Sequence, residues 1–188
     1  RLERMRPAAA LDAVRGPLSQ TDRSFAPEVA EQLVEDLRQV RVETITGETE
    51  TVEGEYIEPV QLQVVCQNLW EDLPPEIDVI TQEHLQQFGN ITQALAAFYT
   101  RAVERAQPLS GLTEADVRGW FERALITPAG TRGTVYRGAI QTGSMNNEAI
   151  DVLEDMHIIR GEWRSGARWY ELTHDRLIEP IEKSNRQW

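Results

Sequence analysis

Two short runs of alternating apolar and polar residues, Ile158-Ile-Arg-Gly-Glu-Trp-Arg164 and Ala167-Arg-Trp-Tyr-Glu-Leu-Thr173, flank a Ser165-Gly166 pair near the end of the chain. Alternation on both sides of a two-residue turn specifies an antiparallel hairpin. Elsewhere the apolar residues recur mostly at helical spacing. The fold therefore has to present this hairpin on a mostly helical body.

Upstream, punctuation divides the helical segments. Residues 8–15 read as a short helix ended by Gly16-Pro17. Phe25 to Val40 places Val29, Leu33, Val34 and Leu37 on one helical face, with Pro27 near the first turn. Residues 41–56, rich in Thr and Glu with Gly47 and Gly54, read as an exposed hairpin or a loop, and a solvated excursion is expected. Glu58 to Trp70 resumes a helix with Pro59 in its first turn, Leu62, Val65, Cys66, Leu69 and Leu73 on one face, and Pro74-Pro75 as its stop. Thr81 is expected to cap a short helix through Phe88, which Gly89-Asn90 breaks. A core helix follows over Ile91 to Ala106, with Ile91, Leu95, Phe98, Tyr99, Ala102 and Val103 on one stripe.

From Leu112 the order of elements suggests a winged helix. Thr113-Glu-Ala-Asp116 has the spacing of a capped start for a helix through Val117, Trp120, Phe121 and Leu125. Residues 127–138 form a loop with one short strand at Thr134-Val-Tyr136, and Arg132 and Arg137 are expected to be solvated there unless they reach a phosphate or an acidic partner. Asn146 or Asn147 caps a second helix with Ile150, Leu153 and Met156 inward, the hairpin follows as the wing, and Asp175 to Asn185 ends as a helix that Pro180 kinks. The expectation is a mainly α protein: a helical domain over 1–111 with a polar excursion near 41–56, then a winged-helix domain with a small antiparallel hairpin over 112–188. Trp120, Phe121, Trp163 and Trp169 read as winged-helix core or as an interdomain patch.

Composition narrows the function. Residues 1–111 hold 19 acidic against 9 basic side chains, residues 112–188 hold 12 against 10, and the net charge is -12. Such a front half repels nucleic acid. The lone Cys66 forms no internal disulfide and suits a reducing cytosol, and no Cys/His cluster offers a zinc site. No apolar run approaches the roughly 18 residues of a membrane span, and the first six residues lack the apolar core of a secretion signal. A start without Met suggests a piece of something longer. Lys183 is the only lysine and no Gly precedes a Lys, so a P-loop is absent. No Ser/His/Asp or Cys/His set stands out, so no catalytic residue is assigned and the chain by itself is not expected to be an enzyme.

Three readings of the function follow. A DNA-binding winged helix needs Arg, Lys or Asn at base edges, yet Asn146 to Met156 carries Glu148, Asp151, Glu154 and Asp155 with no Arg or Lys. Arg160, Arg164 and Arg168 on the hairpin are available as cations. An adaptor or oligomerisation module is the second reading. The third turns on Thr173-His174-Asp175, where strand alternation gives way to a helical pattern. A histidine and free backbone N–H groups at such a junction suit a phosphate, although Thr173 and Asp175 also fit a plain N-cap.

Here the chain resembles a family. Glu58-Pro-Val-Gln-Leu-Gln-Val-Val-Cys-Gln-Asn-Leu-Trp70, Trp120-Phe-Glu-Arg-Ala-Leu-Ile-Thr-Pro-Ala-Gly-Thr-Arg-Gly133 and Ala167-Arg-Trp-Tyr-Glu-Leu-Thr-His-Asp-Arg-Leu177, in this order, are similar to the region after the nucleotide-binding domain of bacterial STAND-class signalling NTPases. The likeness implies a helical domain and a winged helix that close on ADP held by a P-loop domain of the same parent chain. It implies ADP or ATP as ligand of the full-length protein, with none expected on this segment alone, and self-association on activation. By the match, His174 contacts the ADP β-phosphate from a Met-His-Asp-type motif with Thr173 in place of Met. Asp175 supports it, holding the turn or pairing with a nearby Arg. Pro59 matches the proline of a Gly-x-Pro-type motif that packs near adenine, although Glu58 stands where the glycine would be.

Overall fold

A computed structural model describes residues 5–43, 49–88 and 90–188. Among them the protein is mainly α, with small sheets of two or three strands. It divides into two compact units, residues 1–94 and 95–188. The division falls inside a helix, ahead of the 111/112 boundary expected from the sequence.

In the first unit α1 spans Pro7–Arg15 and stops where the Gly16 N–H turns back to the Asp12 carbonyl at 2.8 Å. Pro27 does not open the next helix. Glu28 takes a left-handed φ of 66°, and α2 runs over Val29–Arg38. The residues before it, Ser24–Phe25 (β1), pair in parallel with Val79–Ile80 (β4), a contact without any periodic signature. The excursion expected near 41–56 is built as a hairpin of Gln39–Glu43 (β2) against Thr49–Glu53 (β3). Its base is fixed by Arg38, whose Nε donates to the Gly54 carbonyl at 3.0 Å. Gly47 lies outside the described residues, as do residues 1–4 and Gly89.

Helix α3, Pro59–Asp72, has Pro59 at its first position, where a missing N–H costs no hydrogen bond. Leu62, Val65, Leu69 and Leu73 are buried as the stripe requires, each contributing roughly 1.5–3 kcal/mol of transfer free energy. Cys66 is half-buried. After Thr81, α4 covers Gln82–Phe88. His84 reaches back so that its Nδ1 accepts the Thr81 N–H at 3.1 Å, a capping contact made from the first turn of the helix.

Helix α5 spans Ile91–Ser110, past the expected end at Ala106 and through Pro108. In the second unit its Leu95, Phe98, Tyr99, Ala102, Val103 and Ala106 are buried. Thr113 caps α6, Glu114–Leu125, by accepting the Asp116 N–H at 3.3 Å. Short strands follow at Val135–Tyr136 (β5), Gln141–Thr142 (β6) and Met145–Asn146 (β7), then α7 over Asn147–Asp155. Asn146 stands at the cap position of α7 but gives no side-chain cap; its Oδ1 accepts from Gln141 instead. Ile150 and Leu153 are buried, while Met156 is only half-buried.

The hairpin is Ile159–Arg164 (β8) against Ala167–Leu172 (β9), and β5 adds to the other edge of β9. Ser165 and Gly166 both have positive φ, 50° and 78°, as a tight two-residue hairpin turn demands. Asp175 does not begin an α-helix: Asp175–Leu177 is a 3-10 turn, and α8 covers Ile178–Gln187. Pro180 therefore sits in the first turn of α8, where it needs no N–H partner.

An aromatic cluster forms the centre of this unit. Phe121 packs edge-on to Tyr99 at 5.0 Å and to Trp120 at 5.4 Å, while Trp120 Nε1 donates to the Thr142 carbonyl at 3.0 Å. Buried Arg118 holds Glu114 at 2.9 Å and Asn185 at 3.2 Å, and the Tyr99 hydroxyl donates to Asn185 at 2.8 Å, tying α8 to α5 and α6. Trp163, by contrast, is 73% exposed, and half-buried Trp169 lies edge-on to Tyr136 at 5.7 Å. No helix among the described residues is long and apolar enough to cross a membrane.

Candidate functional site

The strand β9 delivers its chain to His174 through Thr173, whose N–H donates to the Ile158 carbonyl at 3.1 Å and whose hydroxyl donates to the His157 carbonyl at 2.9 Å. His174 is extended (φ -150°, ψ 145°) and half-buried. It is itself the cap of the 3-10 turn, in place of Thr173 or Asp175: its Nδ1 accepts the Arg176 N–H at 3.0 Å. A nitrogen that accepts from an amide carries no proton, so in the neutral ring the proton is on Nε2.

The amides expected to await a phosphate are partly spent. Arg176 gives its N–H to the imidazole, and Leu177 gives its N–H to the His174 carbonyl at 3.2 Å. At least these two amides of the junction are therefore committed within the chain.

Asp175 is 66% exposed and pairs with Arg132 Nε at 2.5 Å. Arg132 is not a solvated loop residue. Its guanidinium also donates to Glu171 Oε1 and to the Leu172 carbonyl, each at 3.3 Å. Glu171, only 7% exposed, receives Arg160 Nε at 2.8 Å and Arg164 at 3.2 Å as well. Three guanidinium groups converge on one carboxylate. Hydrogen bonding to Glu162, then to Glu171, holds the Arg164 pKa above its ordinary range.

Arg137 is likewise engaged, with Asp151 at 2.6 Å and with the Tyr170 hydroxyl. The Asp151 hydrogen bond raises its pKa, and burial raises that of Tyr170. Arg168 grips both oxygens of Glu154 at 2.7 Å. The three hairpin arginines, Arg160, Arg164 and Arg168, all pair with the protein's own carboxylates, and two of the four acids of α7 are used in such pairs. The pairings of Glu171 and Glu154 with hairpin arginines were not anticipated from the sequence. The first was accessible in principle, because a Ser165-Gly166 turn fixes Glu171 opposite Arg160.

Pro59, in the first unit, lines an apolar cavity of about 520 Å³ together with Val14, Phe25, Leu62, Cys66 and Trp70. Burial pushes the Cys66 thiol up to about 11, so it is a neutral wall residue. Arg23 stacks over Trp70 at 4.6 Å and donates to the Pro74 carbonyl at 2.9 Å. No family model, curated protein or solved structure matches the chain. Among the described residues no group of three or more His, Cys, Asp or Glu side chains could hold a metal ion. His157 is exposed and its Nδ1 lies 3.0 Å from the Glu154 carbonyl.

Proposed function

We propose that this chain is the helical and winged-helix regulatory region of a STAND-class NTPase, a cytosolic switch that closes on ADP held by a P-loop domain. The observation that carries the reading is His174. It stands at the exit of a hairpin strand, half-buried rather than walled in, with its proton on Nε2 in the neutral ring. Of the two neutral tautomers, this is the one whose Nε2 can donate to a diphosphate oxygen. The order helix, three short strands, helix, hairpin, with β5 on the outer edge of β9, supports a winged helix. Pro59 beside an apolar cavity supports an adenine contact in the first unit.

The energetics suit a switch. A hydrogen bond from the imidazole to a charged phosphate is worth roughly 1.5–3 kcal/mol, enough to move a closed-to-open equilibrium by roughly 10- to 150-fold. In protein that includes the P-loop domain, His174→Ala should lose ADP during purification by about that factor, with a single cooperative melting transition, lowered by no more than the roughly 1 kcal/mol of the lost cap, as the folding control. Unchanged ADP retention removes the proposal.

One observation favours a second reading, a module for protein contact. Trp163 and Ile140 are 73% and 79% exposed. Trp163→Ser should then weaken concentration-dependent association in sedimentation experiments; association at the wild-type level rejects it. DNA reading has no such support, since the hairpin arginines are internally paired.

A further inference from the structure

We infer that Arg132 is a positioning residue for His174, a clamp that fixes the imidazole through the residues on either side of it. The functional part of this inference rests on the sensor reading of His174. The clamp's base is rigid: Thr127 N–H donates to the Thr131 carbonyl at 2.8 Å, Gly133 N–H donates to the Leu125 carbonyl at 2.8 Å, and Ile126 bridges Arg132 itself. Arg132 is thereby pinned to the end of α6. From there its guanidinium reaches Glu171, Leu172 and Asp175, contacts that bracket His174 on both sides.

Charge balance does not explain these contacts. Glu171 keeps Arg160 and Arg164 if Arg132 is lost, and Asp175, 66% exposed, can turn to water. What Arg132 supplies is a tie between the end of β9 and the first residue of the 3-10 turn, which it holds through one guanidinium. That tie sets the Asp175–Arg176 backbone whose N–H meets His174 Nδ1. A planar fork can hold three acceptors at once, and a lysine ammonium on a flexible stem cannot reproduce that geometry.

The test begins with the 188-residue chain labelled with ¹⁵N at histidine, His174 being assigned by the signal lost in His174→Gln. At a pH where the ring is neutral, wild-type protein should show the widely separated nitrogen signals of a single Nε2–H tautomer. In Arg132→Ala the two signals should move together toward the averaged positions of a free imidazole, and Arg132→Lys should fall between. Melting curves verify that both variants fold, and Arg132→Lys keeps the test open if the alanine variant does not. Wild-type signals in both variants overturn the clamp, whatever nucleotide does.

In protein that includes the P-loop domain, Arg132→Ala should speed ADP release toward the rate of His174→Ala, and the double variant should release no faster than His174→Ala alone. Additive losses would show that Arg132 acts elsewhere and overturn the inference. Altered tautomer signals combined with normal ADP retention by His174→Ala leave the clamp standing and remove the sensor.

Discussion

Replacing Glu171 with Gln keeps the side chain's volume but removes the charge on which three arginines converge, and it turns an amide donor toward other donors. Two limits bound the cost. Breaking a fully buried pair costs about 3–5 kcal/mol, whereas an exposed pair is worth about 0.2–1 kcal/mol. Glu171 is nearly buried, but Arg160 and Arg164 are 43% and 45% exposed and regain water, and Arg132 retains Asp175. An intermediate loss of about 2 kcal/mol follows. For a unit the size of residues 95–188, that lowers the melting temperature by roughly 8–16 °C. Scanning calorimetry at low and at molar salt provides the assay, because screening erases exposed pairs and spares buried ones. A loss under about 0.5 kcal/mol that vanishes in salt would refute the reasoning, since it would make Glu171 an ordinary surface acid.

Two further outcomes are expected. With the Cys66 thiol raised from an ordinary 9.0 to about 11, alkylation by iodoacetamide near pH 8 should run roughly 100-fold slower than for an exposed thiol. Because the folded value lies above the unfolded one, this thiol's stabilisation is complete below pH 9 and is lost as pH rises toward 11; a rate plateau already near pH 9 would contradict the burial. Gly143 has φ +60°, and a Cβ there would meet Trp120 Nε1 at 2.9 Å. Gly143→Ala should cost roughly 1–3 kcal/mol in urea denaturation, and wild-type stability would refute the close approach.

What could be read from the chain were features written in adjacent residues. The Ser165-Gly166 turn, the Thr113 cap, the stripe of α3 and the stop at Pro74-Pro75 each depend on spacing within one element, so pattern and structure agree. Arg132 and Arg137 were misjudged as solvated because their partners lie across folds of the chain: Glu171 is 39 residues from Arg132 and Tyr170 is 33 residues from Arg137. Gly-rich surroundings described their backbone and said nothing of a carboxylate arriving from β9. Asn146 met the preference for a cap, yet Gln141, brought near by the β6–β7 pairing, claimed its oxygen. At the site, the chain disclosed a histidine between strand and turn. Which nitrogen holds the proton, and which arginine steadies the turn, required three dimensions.

The parallel pairing of Ser24–Phe25 with Val79–Ile80 has a kinetic consequence. Two residues on each side form the contact, and the chain between them must already be gathered before it can close. Loop closure grows slowly with length, but so few bonds repay little of that entropy until α2 and α3 have docked. This short ladder should therefore join late in folding and be among the first backbone bonds to exchange their amide protons when the first unit breathes.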